Sequence, residues 1–298
     1  MPTSSQRSES GDTRFAQKSS RPAAPECSVV ILAFNEERNI SLVLQSLAGF
    51  TDVHVLDSGS NDATVSIARS LGAQVWHNPF QSFAQQRNWA HDQISLKHRW
   101  VLHLDADERM NETLADEISL AIRGDDGKSA GYYLAEKTML RGQWLRHAGQ
   151  YPRYQARLVH VDRMRFVDHG HGQRESSDLP FGTLHQPYEH HAFSHGLAHW
   201  LKKHAVYAAQ EAKQIDAGSD EDRPGFSDLL MGSAFSRRRA LKYYGMQVPF
   251  RPALRWFFVL FVSRGIMDGA AGLEYARMMR LFQEMIDLCL RDLRRKQA

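Results

Sequence analysis

Residues 100–108 read WVLHLDADE, an apolar run followed directly by a short acidic segment. The run has the length and composition of a strand buried inside a sheet. Asp105, Asp107 and Glu108 then place carboxylates where that strand ends. Alternating acids at a strand exit suit a hard divalent ion with oxygen ligands, because buried carboxylates are unfavourable unless a cation neutralises them. The alternative is a solvated turn that starts a helix, since acids also favour a helix N-terminus.

Short apolar strands and amphipathic helices alternate through the N-terminal third of the chain. The strands are predicted at 27–34, 53–56, 73–77 and 100–104, with helices at 40–47, 60–71 and 83–95. This alternation is typical of a doubly wound α/β unit with a parallel sheet. Such sheets bind ligands outside the carboxyl ends of their strands. Those ends carry Asn35 and Glu36, then Asp57, then Asp105 and Asp107, which favours a ligand site over three separate helix caps.

Composition limits the class of protein. With 298 residues and 42% hydrophobic residues, the chain can bury a real core, which excludes a disordered protein. Cys27 and Cys289 are the only cysteines, so neither a disulfide framework nor a thiolate metal site is supported. Residues 1–26 are rich in Ser, Arg, Pro and Ala and are predicted to form a disordered tail outside the fold.

The pattern changes in the second half of the chain. Antiparallel strands are predicted at 131–137, 155–161 and 164–167, among many polar and aromatic residues. A histidine-rich stretch follows, and its spacing fits no compact metal-ligand pattern, so its members are interpreted as surface or acceptor-loop histidines. They are His185, His190, His191, His195 and His199.

Residues 216–225 are predicted to be a linker, and 226–298 an amphipathic helical region. Its arginines are interleaved with the bulky apolar residues of 256–262, a run too short to cross the roughly 30 Å of hydrocarbon in a bilayer. We therefore expect this region to lie on an anionic membrane surface, with no nucleic acid as partner. The alternative is a pair of helices that pack on the main domain or on a second subunit.

Three motifs, in order, resemble those of the family 2 glycosyltransferases: residues 28–36, 57–62 and 105–108. The resemblance covers residues 27 to about 215. It is closer to the branch of the lipopolysaccharide inner-core β-glucosyltransferases and related exopolysaccharide enzymes. The stretches supporting this closer resemblance are FAQQRN at 83–88, GQW at 142–144, RLV at 157–159, GHGQRE at 170–175 and LKKH at 201–204.

The resemblance implies a GT-A type fold, a Rossmann-like mixed sheet flanked by helices, over residues 27–215. Residues 27–125 would form the nucleotide-sugar half and 126–215 the acceptor half. The donor would be a nucleoside diphosphate sugar, with a bias to uridine diphosphate, and the cofactor a divalent ion, Mg²⁺ or Mn²⁺. The acceptor would be a glycan or glycolipid, and the protein would be cytoplasmic, peripheral on the inner face of the cell membrane.

The same resemblance implies roles for individual residues. Asp107 would bind the metal ion, which neutralises the charge that develops on the leaving nucleoside diphosphate. Glu175 would take the proton from the acceptor hydroxyl, with His171 and Asp168 as alternative bases. The acceptor would contact Trp144 and Arg157. The nucleotide sugar would be bound by Ala33, Asn35, Glu36, Asp57, Arg87 and Asp105.

These roles predict an inverting hexosyltransferase that uses metal-assisted direct displacement. Two alternatives stay open. A polyprenyl-phosphate glycosyltransferase would share the nucleotide-sugar half and depend less on a base. A catalytically idle, membrane-peripheral scaffold would keep the nucleotide fold without turnover.

Overall fold

The computed structural model describes residues 24–169, 172–216 and 250–297. Strands and helices are numbered in chain order among these residues. The first half contains β1 Ser28–Ala33, α1 Ile40–Ser46, β2 Val53–Asp57, α2 Thr64–Ser70, β3 Gln74–His77, α3 Phe83–Gln93, β4 Trp100–Asp105, β5 Glu108–Arg109 and α4 Glu112–Arg123. The second half contains β6 Gly131–Leu140, β7 Gln143–Trp144, β8 Arg153–His160, β9 Arg165–His169, β10 Gly172–Ser176, β11 Phe181–Thr183, β12 Tyr188–His190, α5 Gly196–Asp216, α6 Arg251–Phe257 and α7 Gly269–Gln297.

The four N-terminal strands form a parallel block in the order β3-β2-β1-β4. Every residue of β1 is buried, as its continuous apolar sequence predicts for a strand covered on both faces. In the register, Ala33 of β1 lies opposite Asp57 of β2, and Leu32 lies opposite Asp105 of β4. The acidic strand ends therefore meet at one edge of the sheet, as the predicted α/β fold requires.

The sheet continues beyond β4 with mixed strand directions. β8 runs antiparallel to both β4 and β6, and β12 runs parallel to β6. β12 also pairs antiparallel with the two-residue strand β5, with His190 opposite Glu108. This pairing brings a segment some 80 residues downstream against the acidic edge. The mixed sheet flanked by helices confirms the predicted fold class.

β9 and β10 form a separate two-stranded hairpin. Phe166 of β9 is 3% exposed and packs with Met164 and Val159, while Asn88 of α3 exchanges hydrogen bonds with the Phe166 backbone at 2.8 and 3.0 Å. The hairpin is thus attached beside α3 and outside the main sheet.

The described part of the C-terminal region packs on α5 and on the segment around Leu145 and Ala148. After α6, a π-helical turn spans Phe258–Val262 and a 3-10 turn spans Gly265–Asp268 before α7 begins. Arg251 and Asp287 form a 2.7 Å ion pair that joins α6 to α7. Among the described residues no single helix is long and apolar enough to cross a membrane. The helical segments 251–262 and 265–296, which are bent by 74° relative to each other, would together have the length and composition of a membrane span.

Two of the predicted boundaries fall partly outside the described residues. The predicted tail is described only from residue 24, and the predicted linker only at Asp216, the last residue of α5. The division into domains stays a prediction.

Candidate functional site

The loops after β1 and β2 are tied together by polar contacts. The backbone N–H of Asn35 donates to Ser60 Oγ at 2.8 Å, and its Oδ1 accepts from the Asn61 N–H at 2.8 Å. Asp57 accepts from the N–H groups of Gly59 and Ser60 at 2.9 and 3.0 Å. Gly59 has φ +102°, a backbone conformation that side chains with a Cβ rarely adopt. The Asp57 carboxylate is therefore engaged in shaping this loop.

Ala33, predicted to line the nucleotide pocket, is 3% exposed. Its carbonyl oxygen accepts from the Ser58 N–H at 2.9 Å. Ala33 is the last residue of β1 and thus lies where the loop after this strand begins.

Asp105 lies between two arginines. Arg87 Nη2 contacts its Oδ1 at 2.9 Å, and Arg157 Nη2 contacts its Oδ2 at 2.8 Å. The Arg87 and Arg157 side chains are only 3% and 5% exposed, and they come from α3 and β8. Burial raises the pKa of Asp105, but Arg157 and Arg87 outweigh it and hold that pKa well below its usual range. Asp105 is thus a fixed anion backed by two buried cations.

Glu108 is the buried carboxylate of the cluster that Asp105 forms with Arg87 and Arg157. Its side chain is 1% exposed, is paired with Arg157, and accepts from the Asp105 N–H at 3.0 Å. It therefore supports the turn after β4, and only Asp105 and Asp107 of the acidic segment face outward. Arg157 is buried and paired with both Asp105 and Glu108, and the structure gives no contact that tests its predicted role in binding the acceptor.

Among the described residues Asp107 is the carboxylate of the segment that is not paired with an arginine, and its side chain is 22% exposed. His190 Nε2 lies 3.3 Å from Asp107 Oδ2, and His190 Nδ1 lies 2.8 Å from Oε1 of the buried Glu136. Burial lowers the pKa of His190, but the two carboxylates outweigh it and raise that pKa well above its usual range. Arg153 pairs with Glu136 from the far side. Asp107 thus ends a chain of alternating charges.

Glu36 lies on the same edge. Its Oε2 accepts from Asn39 Nδ2 at 2.6 Å and contacts His195 Nε2 at 2.9 Å. Its backbone N–H donates to Thr64 Oγ1 at 2.7 Å. The start of α5 is therefore joined to the loop after β1, which closes one side of the acidic edge.

The donor set of the acidic edge fits a magnesium-like ion that the substrate helps to hold. In the described ranges no three His, Cys, Asp or Glu side chains are grouped to hold a metal by themselves. Mg²⁺ usually takes one or two carboxylates and completes its shell with water and substrate phosphates. Asp105 is occupied by arginines, so Asp107 is the carboxylate left to supply the protein ligand.

The candidate bases lie on the hairpin. Glu175, in β10, accepts a hydrogen bond from the Tyr133 hydroxyl. Burial, helped by the Glu175 carboxylate, raises the pKa of Tyr133 to about 12. Asp168 is an exposed residue of β9, and His171 falls outside the described residues. Where the structure describes them, Glu175 and Asp168 form no hydrogen bond with Asp105 or Asp107, so the choice of base stays a prediction.

Trp144 is half-buried and surrounded by cations. Lys137 Nζ and the Arg146 guanidinium lie 5.2 and 5.5 Å from the indole ring, and Tyr151 packs edge-on with ring centroids 5.1 Å apart. Lys137 also pairs with Glu189 at 2.9 Å, one residue before His190. Trp144 is therefore linked to the Asp107 side of the edge.

The sequence argument gave no role to His190, Glu136, Arg153 or His195. The two histidines were noticed only as members of a cluster. Their carboxylate partners lie 54 to 159 residues away, so their roles follow from the pairing of β12 with β5 and β6. The local signal was the polar pair Glu189 and His190 within the short strand β12.

Residues 28–174 match the family model described as glycosyl transferase family 2. The mixed sheet and its acidic edge lie within the matched residues, so this part of the chain has the sequence of a glycosyltransferase of family 2. The match covers just under half of the chain and confirms the family that the motifs predicted for this region.

Two relatives show how far the similarity extends. An uncharacterized glycosyltransferase of Rickettsia typhi is 39% identical over 92 residues, 30% of this chain and 31% of that protein. The lipopolysaccharide core biosynthesis glycosyltransferase LpsC of Rhizobium meliloti is 26% identical over 144 residues, 47% of this chain and 52% of that protein. The matched region thus spans 31% and 52% of the lengths of these two relatives.

Among solved structures, Staphylococcus aureus TarS matches 85% of this chain and 55% of that chain, with 14% identity and a TM-score of 0.38. The Mycobacterium tuberculosis glucosyl-3-phosphoglycerate synthase, in complex with Mn²⁺, uridine-diphosphate-glucose and phosphoglyceric acid, matches 39% of this chain and 44% of that chain. Its identity is 24% and its TM-score 0.29. Both scores are low, and neither likeness is evidence for function in this chain.

Proposed function

We propose that this protein is an inverting glycosyltransferase. It would move a hexose from a nucleoside diphosphate sugar, most simply a uridine diphosphate sugar, to a hydroxyl of a bacterial cell-surface glycan or lipid-linked saccharide. The convergence of Glu36, Asp57, Asp105 and Asp107 on one sheet edge, where α/β sheets bind ligands, carries the proposal. The similarity to LpsC, a lipopolysaccharide core biosynthesis glycosyltransferase, supports this class of acceptor.

The donor would lie across the edge with its diphosphate near Asp107. A divalent ion held by Asp107 would neutralise the charge on the leaving diphosphate without needing a proton. Asp105 is kept anionic and immobile by Arg87 and Arg157, which suits a carboxylate that accepts hydrogen bonds from a ribose. In this arrangement Asp107 and Asp105 have separate tasks, although they stand two residues apart.

Direct displacement also needs a base for the acceptor hydroxyl, because an alcohol is a weak nucleophile at neutral pH. We assign this role to Glu175, with His171 and Asp168 as alternatives. Its hydrogen bond from Tyr133 shows that the carboxylate can accept from a hydroxyl group. The β9–β10 hairpin would have to carry Glu175 to the bound acceptor.

We further propose that the C-terminal region docks on an anionic membrane surface, which would keep the protein peripheral on the inner face of the cell membrane. Exposed apolar side chains are concentrated there: Phe250, Phe257, Phe261, Val262, Ile266 and Met267 are between 48% and 81% exposed. Arg264 is exposed among them, and such a mixture suits the interface of a bilayer.

That surface also supports a second candidate function, a polyprenyl-phosphate glycosyltransferase. In that reaction a lipid phosphate is the acceptor, and it needs no base to become a nucleophile. The same exposed apolar residues would then contact the lipid acceptor. A variant that lacks the Glu175 carboxylate separates the two functions.

The proposal is tested with purified protein, Mg²⁺ or Mn²⁺ and a panel of nucleotide sugars, following release of the nucleoside diphosphate. We expect metal-dependent release with at least one donor, and its loss in Asp107→Ala. Asp126→Ala, which removes an exposed carboxylate on a distant loop, serves as the matched control and should retain activity. Absence of turnover with every donor, together with no binding of uridine diphosphate by calorimetry, would favour the idle scaffold and overturn the proposal.

A further inference from the structure

Asp268 is a buried carboxylate of the C-terminal region that binds the acceptor half. Its side chain is 4% exposed, and its oxygens accept from the N–H groups of His147 and Ala148 at 3.0 and 2.7 Å. His147 Nδ1 lies 2.8 Å from Oδ1. The Asp268 carbonyl oxygen also accepts from Gln143 Nε2 at 2.8 Å. One residue thus binds both ends of the segment 143–148.

The backbone around Asp268 fits closely against the same segment. A Cβ added at Gly265 would lie 2.6 Å from the Val259 carbonyl oxygen and 3.0 Å from Ala148 Cβ. Leu145 and Ala148 share a buried apolar cluster with Val259 and other residues of the C-terminal region. The contact is therefore a packed interface, and Asp268 supplies its polar centre.

The segment held in this way carries Trp144. The indole lies beside Lys137, which is paired with Glu189 next to His190, the residue that contacts Asp107. A flat aromatic ring with cations around it, close to the acidic edge, is suited to stack on a sugar. Its orientation depends on the segment that Asp268 binds.

We propose that Asp268 is a positioning residue: it holds the segment 143–148 so that Trp144 forms a fixed platform for the acceptor sugar. The role of Trp144 toward an acceptor sugar rests on the proposed function, whereas the ordering of the segment 143–148 by Asp268 does not. A buried carboxylate without donors is strongly unfavourable, so the three N–H donors and the carboxylate hold each other in place. In this role Asp268 would act through Trp144, without touching either substrate.

The ordering is tested by hydrogen–deuterium exchange on full-length Asp268→Asn, with Asp292→Asn, an exposed carboxylate on α7, as the charge-matched control. The asparagine keeps the shape but accepts through one oxygen only. We expect the amides of His147 and Ala148 to exchange about ten- to a hundredfold faster, while residues 100–108 exchange as before. Unchanged exchange at 147 and 148 would overturn the proposal, and so would faster exchange throughout the chain.

The consequence for the reaction is tested with alkyl glycosides as acceptor probes. In Asp268→Asn we expect kcat/KM for the best probe to fall about tenfold or more, with donor hydrolysis in water changed less than about twofold. In a Trp144→Phe background the same substitution should have little further effect, because the two residues act through one platform. Equal losses in transfer and hydrolysis, or additive losses in the double variant, would refute the positioning role. If wild-type protein releases no nucleoside diphosphate, the proposed function fails, while the exchange experiment still decides whether Asp268 orders the segment.

Discussion

Arg157→Met is the substitution that we expect to disturb the acidic edge most. Arg157 is 4% exposed and bridges Asp105 and Glu108, while Arg87 pairs with Asp105. In the variant Asp105 retains Arg87, but Glu108, which is 1% exposed and whose pKa burial already raises to about 7, loses its ion pair with Arg157. Methionine keeps much of the volume, so the main effect is electrostatic.

Removing one partner of a buried ion pair costs about 3–5 kcal/mol, because the other charge is left buried and uncompensated. The contribution of Asp105 is discounted, since its side chain is 33% exposed and solvent screens it. The larger part therefore comes from Glu108. We expect Arg157→Met to lower the free energy of unfolding by about 3–5 kcal/mol, measured by urea denaturation at neutral pH.

Two further variants separate charge from packing. Arg165→Met removes an ion pair with Asp92 whose partners are 50% and 49% exposed, and it should lower the free energy of unfolding by less than about 1 kcal/mol. Arg157→Met combined with Glu108→Gln removes the uncompensated charge and should recover part of the lost stability. A double variant no more stable than Arg157→Met alone would refute the electrostatic reasoning.

Three other predictions concern the base, the pH dependence of stability and the membrane. Glu175→Gln should reduce transfer to a hydroxyl acceptor about a hundredfold or more while donor binding by calorimetry persists, and full activity would favour a lipid phosphate acceptor. His91 lies 2.8 Å from His103, and burial lowers the pKa of His91 to about 4. Between pH 6.5 and 4 this histidine is therefore protonated in the unfolded chain and neutral in the folded protein. The contribution of His91 to the free energy of unfolding should be complete above pH 6.5 and fall by up to about 3 kcal/mol towards pH 4. The free energy of unfolding should fall less steeply in His91→Gln than in His185→Gln, which changes an exposed histidine and serves as the control. Parallel pH profiles of the two variants would contradict this. Phe261→Asp should weaken binding to anionic liposomes in a flotation assay, whereas Leu120→Asp, which changes an exposed residue of α4, should leave it unchanged. Equal binding by both variants would argue against docking.

The C-terminal region illustrates how burial changes the meaning of an amphipathic pattern. The sequence pattern of 226–298 allowed either membrane docking or packing on the main domain. The described helices do pack, through Val259, Leu260 and Ala276 and through Asp268, yet Phe257 and Phe261 are left exposed on another side. Packing and docking are therefore compatible uses of one region, because different faces serve them.

Local sequence was sufficient for the parallel block and for its acidic ends. The strands of the first half are continuous apolar runs, and a parallel sheet must bring their carboxyl ends to one edge, so Glu36, Asp57 and Asp105 could be placed together from the sequence. The resemblance added the family, and the family model confirmed it. Neither argument depended on contacts between distant residues.

The partners of those carboxylates were decided by the tertiary structure. Arg157 reaches Asp105 from β8, and His190 reaches Asp107 because the three-residue strand β12 pairs with both β5 and β6. Nothing in the pattern of so short a strand specifies its neighbours, since pairing over long sequence separations depends on how the whole sheet closes. Separate roles for Asp105 and Asp107 were predicted from the sequence, but their partners were not. In the fold Asp105 is held by two arginines, Asp107 is contacted by His190, and Glu108 is buried against Arg157.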